Sequence, residues 1–184
     1  MNRDEAYTLL KEYVKQENML KHSRASEMVL RALARHLGHD EEEWGLAGLL
    51  HDIDVEITNA DPKVHGLKSK EILQGRVSDS IVDAIMHHNE DADGIAERST
   101  LLQHALAAGE TITGLVTATT LVYPDKKLNS VKPKSVSKRM KQKAFAASVK
   151  RENILECEKI GIPMAEFAQL AVEAMTEISD ELGL

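Results

Sequence analysis

Side chains able to ligate a metal fall at four places in this 184-residue chain where apolar neighbours would bury them. His51-Asp52 ends a run, Trp44-Gly45-Leu46-Ala47-Gly48-Leu49-Leu50, that is apolar on nearly every face of a helix, so the pair is driven toward the core. A buried imidazole and a buried carboxylate both need partners, and a divalent first-row ion accepts both. The dipeptide alone says little, since about one arises by chance in every two chains of this length and composition, and a local cap or ion pair would explain it too. His22 lies seven positions before Val29 and eleven before Leu33, on the inward stripe of its own helix. His88 continues the stripe Ile81, Ala84, Ile85, whereas His87 falls with Ser80 and Asp83 on a wetter face. Glu110 is the only charged side chain between Leu101 and Val122, and a lone buried acid is costly unless paired, protonated or metal-bound. Any one of these would pass as a satisfied core polar group. Four helices each turning a His or an acid inward point jointly to a metal site.

The elements that must position them are helical. Apolar residues recur at helical spacing almost throughout, and Gly or Pro punctuates the segments. The spacing predicts helices over 3–17, 19–37, 41–52, 62–74, 79–88, 100–122, 135–146, 150–160 and 163–182. Gly38 suits the end of the second, Asp40 with Glu43 a capping box on the third, and Pro62 and Pro163 first-turn positions. No strand pattern is sustained, so the fold class expected is all-α. With no internal repeat or linker, residues 1–184 read as one domain. One composition shift stands out: Lys126 to Arg151 holds ten basic residues and no acid, which reads as a lid or a subdomain over about 124–151.

Composition narrows the function classes. Aromatics make up 3% of residues, against 42% hydrophobic overall, which favours helices over sandwiches and barrels. The net charge of −7 argues against wholesale nucleic-acid binding, and basic residues without interleaved aromatics suit single strands poorly. Cys157 is the only cysteine, so no internal disulfide forms and nothing marks an oxidising compartment. Charges at Arg3, Asp4 and Glu5 occupy the place of a signal peptide's apolar core, and Glu110, Gln103 and His104 interrupt the one long weakly polar run. A cytoplasmic protein without a membrane span is expected.

With these residues in place, the chain resembles the HD-domain superfamily, whose signature runs His, then His-Asp, then a later acid, each on a different helix. Here these would be His22, His51-Asp52 and Glu110, while His65 in His65-Gly66 and His88 in His88-Asn89 resemble the added ligands of members that hold two metals. The stretches from Gly45 to Asp54 and from Pro124 to Leu128 look like a subfamily of small bacterial and archaeal HD proteins. Two departures are evident. The last acid of the superfamily is usually Asp, and Glu110 is one methylene longer. Many members follow the dipeptide with Ile-Gly-Lys, where this chain has Ile53-Asp54-Val55-Glu56 and so no phosphate-contacting Lys.

The resemblance implies hydrolysis of a phosphate ester, in a nucleotide or another small phosphorylated substrate. A divalent ion (Mn, Fe, Co, Ni, Zn or Mg) would be held by His22, His51, Asp52 and Glu110, and a second by Asp52 as bridge with His65 and His88. Two such ions roughly 3.5–4 Å apart would clamp the attacking and leaving oxygens. His87, Asp54 and Glu56 are the candidate proton donors, His87 first among them. Within the basic segment, Lys126 and Lys127 are candidates for the substrate phosphate in place of the missing Lys, against the alternative of a solvated charge run. Other proteins of this fold, the myo-inositol oxygenases and phosphonate-cleaving oxygenases, use a similar ligand set for a diiron centre. A binding or regulatory module without turnover is the remaining alternative.

Overall fold

Helix starts in this chain are set by short polar side chains. Asn2 and Thr100 each form a capping box, with Glu5 and Gln103 returning the bond, while Asp40 and Ser78 cap with their own side chains. Glu43 does not complete the box expected with Asp40, because its carboxylate instead accepts the hydroxyls of Ser78 and Ser80. The computed structural model describes residues 1–184 and contains ten α-helices and no strand. They are α1 (Arg3–Tyr13), α2 (Glu17–Leu37), α3 (Glu41–Leu50), α4 (Ser69–Leu73), α5 (Asp79–His88), α6 (Leu101–Leu121), α7 (Pro133–Arg139), α8 (Arg151–Leu155), α9 (Met164–Thr176) and α10 (Ser179–Leu182). The expected all-α class holds. No helix is long and apolar enough to cross a membrane.

Helices α2 and α6, each 21 residues, pack along one another; α3 crosses α2, α5 and α8 lie on α6, and α9 packs on α2 and α7. Their apolar faces merge in one core that runs from Ala6 to Leu182. The α2–α3 crossing is close because of Gly48: a Cβ there would sit 2.6 Å from the Ser26 carbonyl oxygen of α2. That approach brings the end of α3 up to the first turns of α2.

Several expected helices are shorter, each for a visible reason. The first stops at Tyr13, where Val14 turns extended and the amides of Lys15 and Gln16 donate to the Glu56 carboxylate. The third stops at Leu50, leaving His51 and Asp52 in the turns beyond it. Of 62–74 only α4 is helical, and Pro62 lies in a turn rather than at a helix start. Left-handed Asn59 and Ala60 break the coil, and the Asp54 carboxylate takes the amides of Gly66 and Ser69. The segment expected as 135–146 begins at Pro133, in the first turn, and ends at Arg139. Residues 140–149 are turns, gathered by the Arg151 guanidinium, which donates to the carbonyls of Gln142, Phe145, Ala146 and Val149. Residues 156–160 tighten to a 3-10 turn, Pro163 caps α9 from outside, and Ile178 leaves helical geometry between α9 and α10.

Candidate metal centre

The side chains come from five places. His22 lies in the second turn of α2, His51 and Asp52 just past α3, His65 in the turns before α4, His88 at the last position of α5, and Glu110 midway along α6. The four imidazoles converge on Asp52. Its Oδ2 lies 3.2 Å from His51 Nε2 and 3.5 Å from His22 Nε2, and its Oδ1 lies 3.0 Å from His65 Nε2 and 3.5 Å from His88 Nε2. The carboxylate thus separates two clusters, one of His22, His51 and Asp52 and one of Asp52, His65 and His88. Glu110 stands beside the first, its Oε2 3.8 Å from His22 Nε2 and its Oε1 accepting the Thr111 hydroxyl.

The orientation of each ring is set from behind. His51 Nδ1 donates to the Gly48 carbonyl at 2.8 Å, and His88 Nδ1 to the Ile85 carbonyl at 2.6 Å. His65 Nδ1 donates to Asp54 Oδ1 at 2.8 Å. His22 Nδ1 lies 3.0 Å from the Thr113 hydroxyl, whose own proton goes to the Glu110 carbonyl, so here too the ring donates. With every Nδ1 engaged, every Nε2 faces inward, the arrangement that outer hydrogen bonds impose on metal-ligating imidazoles. The Nε2 atoms meet in pairs, His22 with His51 at 3.0 Å and His65 with His88 at 3.1 Å. Two lone pairs that close repel unless a proton or a cation lies between them.

Protonation follows from the same geometry. Burial, with the adjoining His51 charge, drives His22 down to about 4. Burial acts on His51 in the same direction, but the adjacent Asp52 outweighs it and raises His51. His65 is pushed up to about 10, because Asp52 and Asp54 on its two sides overcome burial. Asp52 is held well below the usual carboxylate range, burial being overcome by His51, His65 and His88. Glu110 is raised by burial, which His51 and His88 offset only in part. Without a metal, a proton on His51 and one on His65, the two imidazoles raised by their carboxylate neighbours, would relieve the repulsion. A divalent cation does the same with more charge, so the donor set of imidazole Nε2 and carboxylate oxygens fits first-row ions.

All of these ligands but the fully buried His51 border a cavity of about 340 Å³ whose other wall carries Ser148, Val149, Lys150 and Asn153. A wider depression of about 780 Å³ between α1 and Arg76 presents Asp4, Glu5 and Glu12 but no imidazole. The other His-Asp pair of the chain, His39-Asp40, lies outside the site: Asp40 caps α3 and His39 stacks on Trp44 with centroids 5.0 Å apart.

Five residues expected in catalysis or substrate binding are placed elsewhere or otherwise. His87 points away from the cavity, its Nδ1 bound to the Asp83 carbonyl at 2.8 Å, because one residue along α5 turns the side chain about 100° from His88. Glu56 accepts the amides of Lys15 and Gln16 and so holds the link between α1 and α2. Asp54 is buried and spends its carboxylate on His65, Gly66 and Ser69, so it orients a ligand rather than facing a substrate. Lys126 and Lys127 are exposed and line no part of the cavity, since α6 carries the chain about 16 Å past Glu110 before their turn begins. From the basic segment it is Lys150 that reaches the wall, where its ammonium pairs with Asp91.

Sequence reasoning passed over the residues that hold the ligands. Arg98 donates to the carbonyls of His87 and His88 at 2.8 and 2.7 Å and is anchored by Glu156, so it fixes the end of α5. Asn89 donates to the carbonyls of Pro62 and His65, tying the turn that carries His65 to the same end. Gly66, at φ 89°, passes within 3.4 Å of the His88 ring at the place a Cβ would occupy. Thr113, three residues past Glu110 on an apolar helix, was the one of these with a visible signal. No curated protein and no solved structure matches the chain. The model of the HD domain family matches residues 19–118, more than half the chain and a span that holds His22, His51, Asp52, His65, His88 and Glu110. The chain belongs to the HD domain family.

Proposed function

We propose that the protein is a metal-dependent phosphohydrolase acting on a small phosphorylated substrate, with two divalent-ion positions that share Asp52. His22, His51 and Asp52 would hold one ion with Glu110 as the fourth donor, and Asp52, His65 and His88 the other. The observation that carries this reading is the pair of inward-facing Nε2 couples, 3.0 and 3.1 Å apart, on the two oxygens of one carboxylate. Ions bound there would supply charge to polarise a phosphoryl oxygen and to lower the pKa of a water.

The chain's own residues do the rest. Lys150 is the one ammonium on the cavity wall, placed to attract and orient a phosphate against an otherwise acidic surface. Asn153 adds a neutral hydrogen-bonding group to the same wall. Asp54 and Thr113 keep the rings of His65 and His22 turned inward while a substrate comes and goes.

Metal analysis of the purified protein, with phosphate release from a panel of phosphate esters, tests this reading. Bound first-row metal and phosphate release are expected, both lost in Asp52→Ala. Metal with oxygen uptake in place of phosphate release would favour a diiron oxygenase. Full metal content in Asp52→Ala would remove the basis of the assignment.

A further inference from the structure

A second hollow adjoins the metal cavity at His22. This groove of about 490 Å³ is lined by α2, α6 and residues 182–184 and shares His22 and Gly114 with the metal cavity, so the two hollows adjoin. The two differ in chemistry. Beside the ligands the cavity presents one apolar side chain, Val149, whereas the groove is walled by Ala25, Ala118, Leu121 and Leu182. Leu121 is 51% exposed at its rim, an apolar residue without a covering partner.

The polar groups of the groove are few. Thr113 is engaged with His22 and the Glu110 carbonyl, and Lys21 pairs with Glu17 at 2.9 Å. Among the other side chains only Thr117 and Asn18 are polar, too few to read the edge of a nucleobase. Neither hollow is lined by a Phe, Tyr or Trp on which a base would stack. Charge limits the phosphate end as well, since the one wall ammonium, Lys150, is already partnered by Asp91.

Resting on the phosphohydrolase reading, we infer that the groove holds the organic part of the substrate, that this part is aliphatic, and that it carries a single phosphoryl group. The substrate class is then a phosphate monoester of an aliphatic alcohol. Its phosphate lies over Asp52 and its hydrocarbon lies between Ala25 and Ala118, where water has the least to bond to.

The experiment is calorimetric titration of the Mn²⁺-loaded protein with n-alkylphosphonates from methyl to hexyl, which bind without turning over. Kd is expected to fall about fourfold for each methylene that enters the groove. Ala118→Trp, which fills the groove, should flatten that series, and Ala118→Leu should shorten it. If neither variant folds by circular dichroism, the series on the unaltered protein still decides. Binding of methylphosphonate with no gain along the series overturns the groove assignment and leaves the phosphohydrolase reading standing. Nucleoside 5′-monophosphates binding more tightly than hexylphosphonate overturns the aliphatic class. Failure of every phosphonate, methyl included, overturns both.

Discussion

His22 and Thr113 are joined by a hydrogen bond of 3.0 Å whose direction is fixed by a third group, because the threonine hydroxyl spends its proton on the Glu110 carbonyl. One turn of α6 therefore presents a carboxylate to the first proposed metal position and orients an imidazole toward it. Thr113→Val should remove the acceptor behind His22 with little change in volume. Metal affinity at that position is expected to fall about 10- to 100-fold, while Thr113→Ser, which keeps the hydroxyl, recovers most of it. Competition with a chromophoric chelator measures both.

Loading with metal should release protons. His65, pushed up to about 10, carries a proton at neutral pH that it must give up to ligate, and His51, raised by Asp52, holds its proton more tightly than a free imidazole. The His65 proton is expected to leave on loading, and apparent affinity at the His65 position should rise about tenfold per pH unit below pH 10. Calorimetry in buffers of different ionisation heat counts the protons released. In the metal-free protein the sign is the opposite. A folded pKa above the unfolded value stabilises fully below about 6.5, and this stabilisation is lost as pH rises through about 10. Thermal melts of the metal-free protein should fall across that window, and a flat profile would count against a charged His65.

Gly48→Ala tests whether the α2–α3 approach builds the first cluster. The added Cβ would meet the Ser26 backbone at 2.6 Å, and backbone cannot swing aside. A loss of about 1–3 kcal/mol in urea unfolding is expected. Metal binding should weaken too, since His51, whose Nδ1 holds the Gly48 carbonyl, moves with α3.

Lys150→Ala should raise the KM for a phosphate ester several-fold with kcat little changed and metal content intact, an effect that shrinks with added salt. Lys127→Ala, outside the cavity, should leave the kinetics unaltered. Steady-state kinetics on the two variants separates a phosphate contact from a general field of the basic segment.

Local residue pattern was enough for the helices α2, α5 and α6 and for their inward side chains. The 3.6-residue stripe placed α5 within its observed bounds and put His22 and His88 inside, and the isolation of Glu110 on an apolar helix marked it as a group needing a partner. His51-Asp52 was visible because the run before it had no polar face. What stayed hidden depends on bonds between residues far apart in the chain. Asp54 reaches Gly66 and Ser69 and thereby turns an expected helix into the loop that carries His65. Arg151 gathers carbonyls of 142–149, which ends α7 early and sets Lys150, rather than Lys126 or Lys127, on the cavity wall. Arg98 holds His88 through its carbonyl oxygen, an atom every residue has. Helical periodicity is a property of neighbours along the chain, so composition and spacing express it. The identity of the group at the far end of a carboxylate or guanidinium exists only once α2, α3, α5 and α6 have packed, because packing decides which backbone amides and carbonyls are left for those side chains to satisfy.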